Sequence, residues 1–233
     1  MAARKPVTRD AYRFVFIVTY GRSGSTLLNR VLNTIPGYLI RGENNAALLH
    51  LFRYLESLRA TRREFSRADT GPDHPWYGAE RIRVKRVVDE ALDGFVRNVL
   101  RPEPDSRVLG FKEIRHTRWV FRENEFPRYI AFLLRHFPDA RIVFNRRSWE
   151  AVSRSGWWAN APKEKVRDLV ERADALFLTA MLNHPEQCFG MVYEDYDGNP
   201  GTFARLFEFL GEPFDEAAVR AVLDERLDHA RAG

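Results

Sequence analysis

Arg22, Ser23, Ser25, Thr26, Glu43, Lys112, Arg147 and Ser155 are the residues of this 233-residue chain whose types and spacing could do chemistry. The first four sit in Gly21-Arg22-Ser23-Gly24-Ser25-Thr26, between the apolar run 14–20 and Leu27-Leu28. A strand that breaks on glycine and re-emerges as a helix aims successive backbone N–H groups, and the positive end of the helix dipole, at one small volume. Gly21 and Gly24 allow positive φ and close approach of a ligand to the backbone. Arg22 adds a fixed charge, and Ser23, Ser25 and Thr26 add hydroxyl donors. Such a turn suits phosphate or sulfate. The plainer alternative is a corner with capping hydroxyls, and the concentration of donors beside a buried strand weighs against it.

The remaining candidates extend this chemistry. Glu43 follows a short apolar stretch and could accept a proton from an attacking hydroxyl; it could equally be a carboxylate stabilised at a helix start. Lys112 closes the run Val108-Leu109-Gly110-Phe111, where an ammonium could steady developing negative charge or form an ion pair. Glu113, its neighbour, points to the opposite face of a continuing strand and is the weaker candidate. Arg147 follows Ile142-Val143-Phe144, and Ser155 lies eight positions on, about two helical turns away, so both meet one ligand only if the chain bends or the ligand is large. Arg146 with Ser153 is the alternative pair. His116 is assigned only marginal contact with a substrate.

Metal chemistry is not expected. The glycine loop lacks the lysine of G-x-x-x-x-G-K-[ST], and the strand before Asn145-Arg146-Arg147 does not end in the aspartate that holds magnesium in P-loop NTPases. No His or Cys spacing fits a metal site.

These residues need elements to hold them. Strand-like runs fall at 13–19, 38–41, 107–112, 141–146 and 188–193, separated by stretches of helical period at 26–34, 44–61 and 79–99, with a loop at 66–77. Strands alternating with helices predict an α/β fold with a mainly parallel central sheet flanked by helices. Ligands bind such sheets at the carboxyl ends of strands. Gly21 to Thr26, Glu43, Lys112 and Arg147 each follow or end a predicted strand, which gathers four distant segments at one rim.

The size predicts a single domain over 1–233. The net charge of +5 favours anionic partners, but the arginines at 59–67 and 81–86 are spread along helices as solvated faces, and no nucleic-acid-binding signature accompanies them. The lone Cys188 reads as a buried strand residue and excludes an intrachain disulfide. With neither a secretory leader nor a membrane span in the sequence, a cytoplasmic protein is expected. Trp157-Trp158 reads as a core or core-edge pair rather than a stacking platform for a base.

Tyr20-Gly21-Arg22-Ser23-Gly24-Ser25-Thr26-Leu27-Leu28 resembles the 5′-phosphosulfate loop of sulfotransferases that use 3′-phosphoadenosine 5′-phosphosulfate (PAPS), with arginine where many members carry lysine. Arg41-Gly42-Glu43-Asn44, Gly110-Phe111-Lys112-Glu113 and Arg147 with Ser155 agree with that family in order. The resemblance implies a P-loop-like three-layer fold and direct in-line transfer of a sulfuryl group from PAPS to a hydroxyl or amine, with 3′-phosphoadenosine 5′-phosphate (PAP) released. It implies that Arg22 and the amides of residues 23–26 hold the 5′-phosphosulfate, that Arg147 and Ser155 hold the 3′-phosphate, and that Glu43 is the base, with Lys112 and Arg22 steadying charge. The partner would be a small-molecule or glycan acceptor, shaped by segments such as 44–80 and 115–130. Ser148-Trp149 after Arg147, where Asp-Pro is common, marks a divergent branch. The family's basic, glycine-rich C-terminal lid is expected to be absent or built differently. Two other classes remain open: a P-loop-type nucleotide-dependent phosphotransferase, and a non-catalytic protein that binds PAP or another anion.

Overall fold

A computed structural model of the chain describes residues 7–67, 71–117 and 120–225. These fall into two units, one of residues up to 9 with 46–101, the other of 10–45 with 102 onward. The second carries the sheet: β1 (Arg13–Val18), β2 (Tyr38–Arg41), β3 (Val108–Glu113), β4 (Arg141–Arg146) and β5 (Cys188–Val192), in the order β2-β3-β1-β4-β5. Every pairing is parallel. The five strands lie where hydrophobic runs predict them, because strands buried on both faces read as continuous apolar stretches.

Helices in chain order are α1 (Ser25–Leu32), α2 (Ala47–Phe65), α3 (Val84–Phe95), α4 (Glu125–His136), α5 (Trp149–Ser153), α6 (Lys163–Asn183), α7 (Tyr193–Tyr196), α8 (Ala204–Leu210) and α9 (Glu216–Asp224). Side chains alternate across β1. Val15 and Ile17 join a core with Leu28 and Val31 of α1, Leu206 and Phe207 of α8 and Val219 of α9. Phe14 and Phe16 face the other way, edge-on to Phe137 at ring separations of 4.8 and 5.2 Å. On that same side Phe177 of α6 stacks on Phe144 of β4 and touches Phe126 of α4. Helices on both faces of a parallel sheet make the expected three layers, and stacked or edge-on aromatic pairs add to the burial of apolar surface.

In the other unit α2 and α3 pack together and bury Leu48, Phe52 and Leu55 with Val88 and Leu92. Two helix boundaries differ from the sequence reading. The helix expected from residue 44 starts at Ala47, because Asn45 and Ala46 are both in the left-handed region (φ 57° and 58°), which no helix continues through. The helix expected over 79–99 begins as a short 3₁₀ turn at Ala79–Arg81, breaks at extended Ile82 and ends in a π turn at Val96–Leu100. Cys188 is buried in β5, as expected, and burial pushes its thiol up to about 12, which leaves it unreactive.

Candidate functional site

The loop after β1 is held by buried polar contacts. Thr19 donates to the Asn145 carbonyl at 2.7 Å and lies 2.7 Å from the Ser23 hydroxyl. The Asn145 side-chain amide donates to the Ser23 carbonyl at 2.8 Å, and Tyr196 donates to its Oδ1 at 2.9 Å. Thr19, Ser23, Asn145 and Tyr196 are almost wholly removed from solvent. A fully satisfied buried network of this kind fixes one conformation. Asn145 thus occupies the end of the strand where an aspartate would hold magnesium in a nucleotide triphosphatase, and it ties β4 to the loop instead.

That network sets the backbone of the turn. Arg22 adopts φ 69° and Gly24 φ 80°, and α1 starts at Ser25 with no side chain capping its first turn. Alternation through the left-handed region and uncapped N–H groups at a helix start are the geometry of an anion nest. Both glycines are required by their neighbours. A methyl at Gly24 would lie 2.0 Å from the Tyr193 ring, and one at Gly21 would lie 2.5 Å from Trp157.

A cavity of ≈ 460 Å³ opens beside this turn, lined by Arg22, Gly24, Ser25, Thr26, Leu27, Glu43, Lys112, Ile114, Arg147, Ser155, Trp157 and Tyr193. All the sequence-predicted site residues except Ser23 therefore reach one space. The Ser23 hydroxyl faces Thr19, so only its backbone N–H remains to serve a ligand. Arg147 and Ser155 meet because α5 is five residues long: its chain turns at Arg154 and Ser155 instead of running on as two helical turns. The alternative pair is set apart, with Ser153 buried and donating to the Glu150 carbonyl.

The cations are positioned from several sides. Arg22 Nε donates to Ser155 Oγ at 2.9 Å, and its guanidinium lies over Trp157 at 5.6 Å. Arg147 Nη1 donates to the Arg22 carbonyl at 3.0 Å, and the Arg147 guanidinium sits 4.2 Å from the Tyr193 ring centroid. Glu194 comes no nearer to Arg147 Nε than 3.9 Å, and that Nε is buried without a hydrogen-bond acceptor among the described residues. A buried guanidinium donor with nothing to bond is costly unless an anion completes it. Across β1 from β4, at the ends of β2 and β3, Lys112 Nζ donates to Glu43 Oε1 at 2.5 Å. Lys112 is nearly buried and Glu43 is partly open to solvent.

Glu113 points away from the cavity, as alternation along β3 requires. Its carboxylate accepts from the N–H groups of Asn44, Ile114 and Arg115, at 3.2, 2.9 and 3.1 Å, and so pins the segment that carries Glu43. His116 is buried with Nδ1 2.9 Å from the Glu113 carbonyl, and burial lowers its pKa. It does not line the cavity.

Two aromatic residues line the cavity that the sequence reading did not assign to the site. Trp157 was expected in the core or at its edge, but it is 57 % exposed, because the turn at Ser155 lays it over Arg22 and Gly21. Tyr193 comes directly after β5, the same rim position that marks Glu43, Lys112 and Arg147. Applied to the fifth strand, that rule would have found it.

The sequence profile of the sulfotransferase family matches residues 15–216, a span that contains the sheet apart from the first two residues of β1, the loop and every cavity residue. The chain belongs to the sulfotransferase family. Its structure is similar to the crystal structure of sulfotransferase STF9 from Mycobacterium avium, at 16% sequence identity and a TM-score of 0.45, over 94% of this chain and 68% of that one. No curated protein matches the sequence. No helix among the described residues is long and apolar enough to cross a membrane, and no cluster of metal-ligating residues occurs among them.

Proposed function

We propose that the chain transfers a sulfuryl group from PAPS to a hydroxyl or amine of a small-molecule or glycan acceptor. The observation that carries this reading is one cavity with two chemically distinct sides: arginine donors on a nest-like turn, and a carboxylate paired with a lysine. PAPS, when bound, supplies an activated sulfuryl group on a good leaving phosphate. The unpartnered Nε of Arg147, with Ser155, fits a 3′-phosphate, and Arg22 with the N–H groups of residues 23–26 fits the 5′-phosphosulfate.

Glu43 is the base in this reading and takes the proton from the acceptor. Its bond to Lys112 orients the carboxylate; as the proton arrives on Glu43, that bond weakens and the ammonium is free to steady charge on the departing oxygen. Positioning and fixed charge carry the rate, and no residue is asked to form a covalent intermediate. The whole chain acting as one sulfotransferase domain in the cytoplasm belongs to the same proposal.

A thermal melt with PAP, without metal, against ATP with magnesium tests it. Ligand at a hundred times its dissociation constant raises stability by about 2.7 kcal/mol, so a shift with PAP alone is expected. A shift with magnesium–ATP alone would move the chain to phosphoryl transfer, and binding of PAP without turnover of PAPS on any acceptor would make it a binding protein.

A further inference from the structure

Asp174, on α6, does not line the cavity, yet it reaches Arg147 through one phenol. Tyr20, the residue before the glycine turn, is fully buried. Its ring is parallel to Phe177, at 6.1 Å and 7°, three residues along α6 from Asp174. Its hydroxyl accepts the Arg147 N–H at 2.8 Å and lies 2.9 Å from the Arg147 carbonyl and 3.1 Å from Asp174 Oδ1. A phenol has one hydrogen to give, and here two acceptors compete for it.

The outcome of that competition depends on the carboxyl. A charged Asp174 draws the phenol hydrogen and leaves the Arg147 carbonyl without it. A neutral Asp174 becomes a donor to the phenol oxygen, and the phenol hydrogen passes to the Arg147 carbonyl. The backbone of Arg147 is then held at both its N–H and its C=O. We propose that Asp174 is a positioning residue for Arg147, and that its proton, relayed through Tyr20, sets how firmly Arg147 holds an anion, with the neutral carboxyl giving the tighter grip. This rests on the reading of Arg147 as an anion-binding residue.

The relay falls in a useful range. Burial pushes the Asp174 carboxyl up to about 6, Arg146 at the end of β4 and the Tyr20 hydroxyl pull it down, and Glu194 of α7 pushes it up. Tyr20 itself is raised far above its ordinary value, by burial first and Asp174 second, so it stays protonated and acts only as a relay.

Binding of PAP to the full chain, measured by calorimetry from pH 5.5 to 8 for wild type, Asp174→Asn, Tyr20→Phe and Arg147→Ala, tests this. The ligand phosphate also titrates near pH 6, and the ratio of wild type to variant cancels that contribution. Asp174→Asn cannot change its charge, so wild type should lose about three- to fivefold more affinity than this variant across the range, the order of one hydrogen bond. Tyr20→Phe should weaken binding and follow the flatter profile of Asp174→Asn. Parallel profiles for wild type and Asp174→Asn, or a Tyr20→Phe protein that binds as wild type does, would overturn the proposal. Arg147→Ala binding PAP as tightly as wild type would instead sink the reading of Arg147. Should Asp174→Asn fail to melt cooperatively, wild type against Tyr20→Phe carries the same comparison.

Discussion

The two ends of the sheet carry the same residue type in opposite employment. At the amino ends of the strands, Arg13 and Arg107 converge on Glu212 at 2.7 and 2.6 Å, Tyr38 donates to the same carboxylate at 3.1 Å, and Arg107 lies over the Tyr38 ring. At the carboxyl ends, Arg22 has a neutral hydroxyl and an indole for partners, and Arg147 has a carbonyl, a phenol ring and a carboxylate 3.9 Å away. An arginine closed by a hydrogen-bonded carboxylate stabilises the fold, whereas Arg22, with neutral partners, and Arg147, with only a long ion pair to Glu194, keep donors beside the cavity. The difference arises from topology: the uncapped start of α1 and the glycine turn lie at the carboxyl end, so that rim already favours negative charge.

Exchanging the two employments by mutation is the sharpest way to break this contrast. The largest effect is expected inside the cavity: Glu43→Gln should lower turnover by about 10²–10⁴-fold, the usual range for a lost general base, while calorimetric affinity for PAP stays within a factor of two or so of wild type. A fully active variant would remove Glu43 as the base. Arg147→Ala should cost about 10–100-fold in PAP affinity, as loss of hydrogen bonds to a charged group does, with little change in melting temperature. Arg107→Ala should do the reverse; its exposed guanidinium limits the loss of stability to about 1 kcal/mol or less, and PAP titration should be unchanged. If Arg107→Ala weakens PAP binding as Arg147→Ala does, the two rims are not separate in function.

Backbone and pH give smaller tests. Gly24→Ala meets both the Tyr193 ring and a positive φ, and should lower stability by about 1–3 kcal/mol, read from denaturant melts. Hydrogen bonding to Arg107, and then to Arg13, holds Glu212 below its ordinary value. Its contribution is therefore complete above the unfolded value of 4.5 and fades as pH falls through the lower folded one. Wild type and Glu212→Gln should converge in melting temperature as pH drops below about 4.5.

The sheet was legible because its strands are buried on both faces and their composition is uniform, as in Phe14-Val15-Phe16-Ile17-Val18. The rim residues were legible because each follows such a run. What was hidden depends on turns of one or two residues. The turn-marking pair Ser155-Gly156 was the overlooked signal: Gly156 takes φ 53°, α5 stops at Ser153, and this stop brings Ser155 to Arg22 and turns Trp157 outward. Ser23 resembled Ser25 by type, but it falls on the side of the loop that faces Thr19 and Asn145. The pairing of Lys112 with Glu43 joins residues 69 apart in sequence, a distance at which spacing carries no information. The expectation that the family's C-terminal lid is absent or built differently falls on the chain end, which from residue 226 lies outside the described residues.

The strand order has a consequence for synthesis. β1 is complete at residue 18, yet its two neighbours begin at residues 108 and 141. A ribosome adding about 5–20 residues each second leaves the most hydrophobic strand of the protein with both edges unpaired for several seconds. Its glycine turn cannot take shape until Asn145 and Arg147 have emerged to bond it. The nascent chain is thus an apolar ribbon waiting for partners, a natural client for a chaperone, and any product terminated before β4 would leave one edge of the central strand β1 unpaired and would lack Asn145 and Arg147.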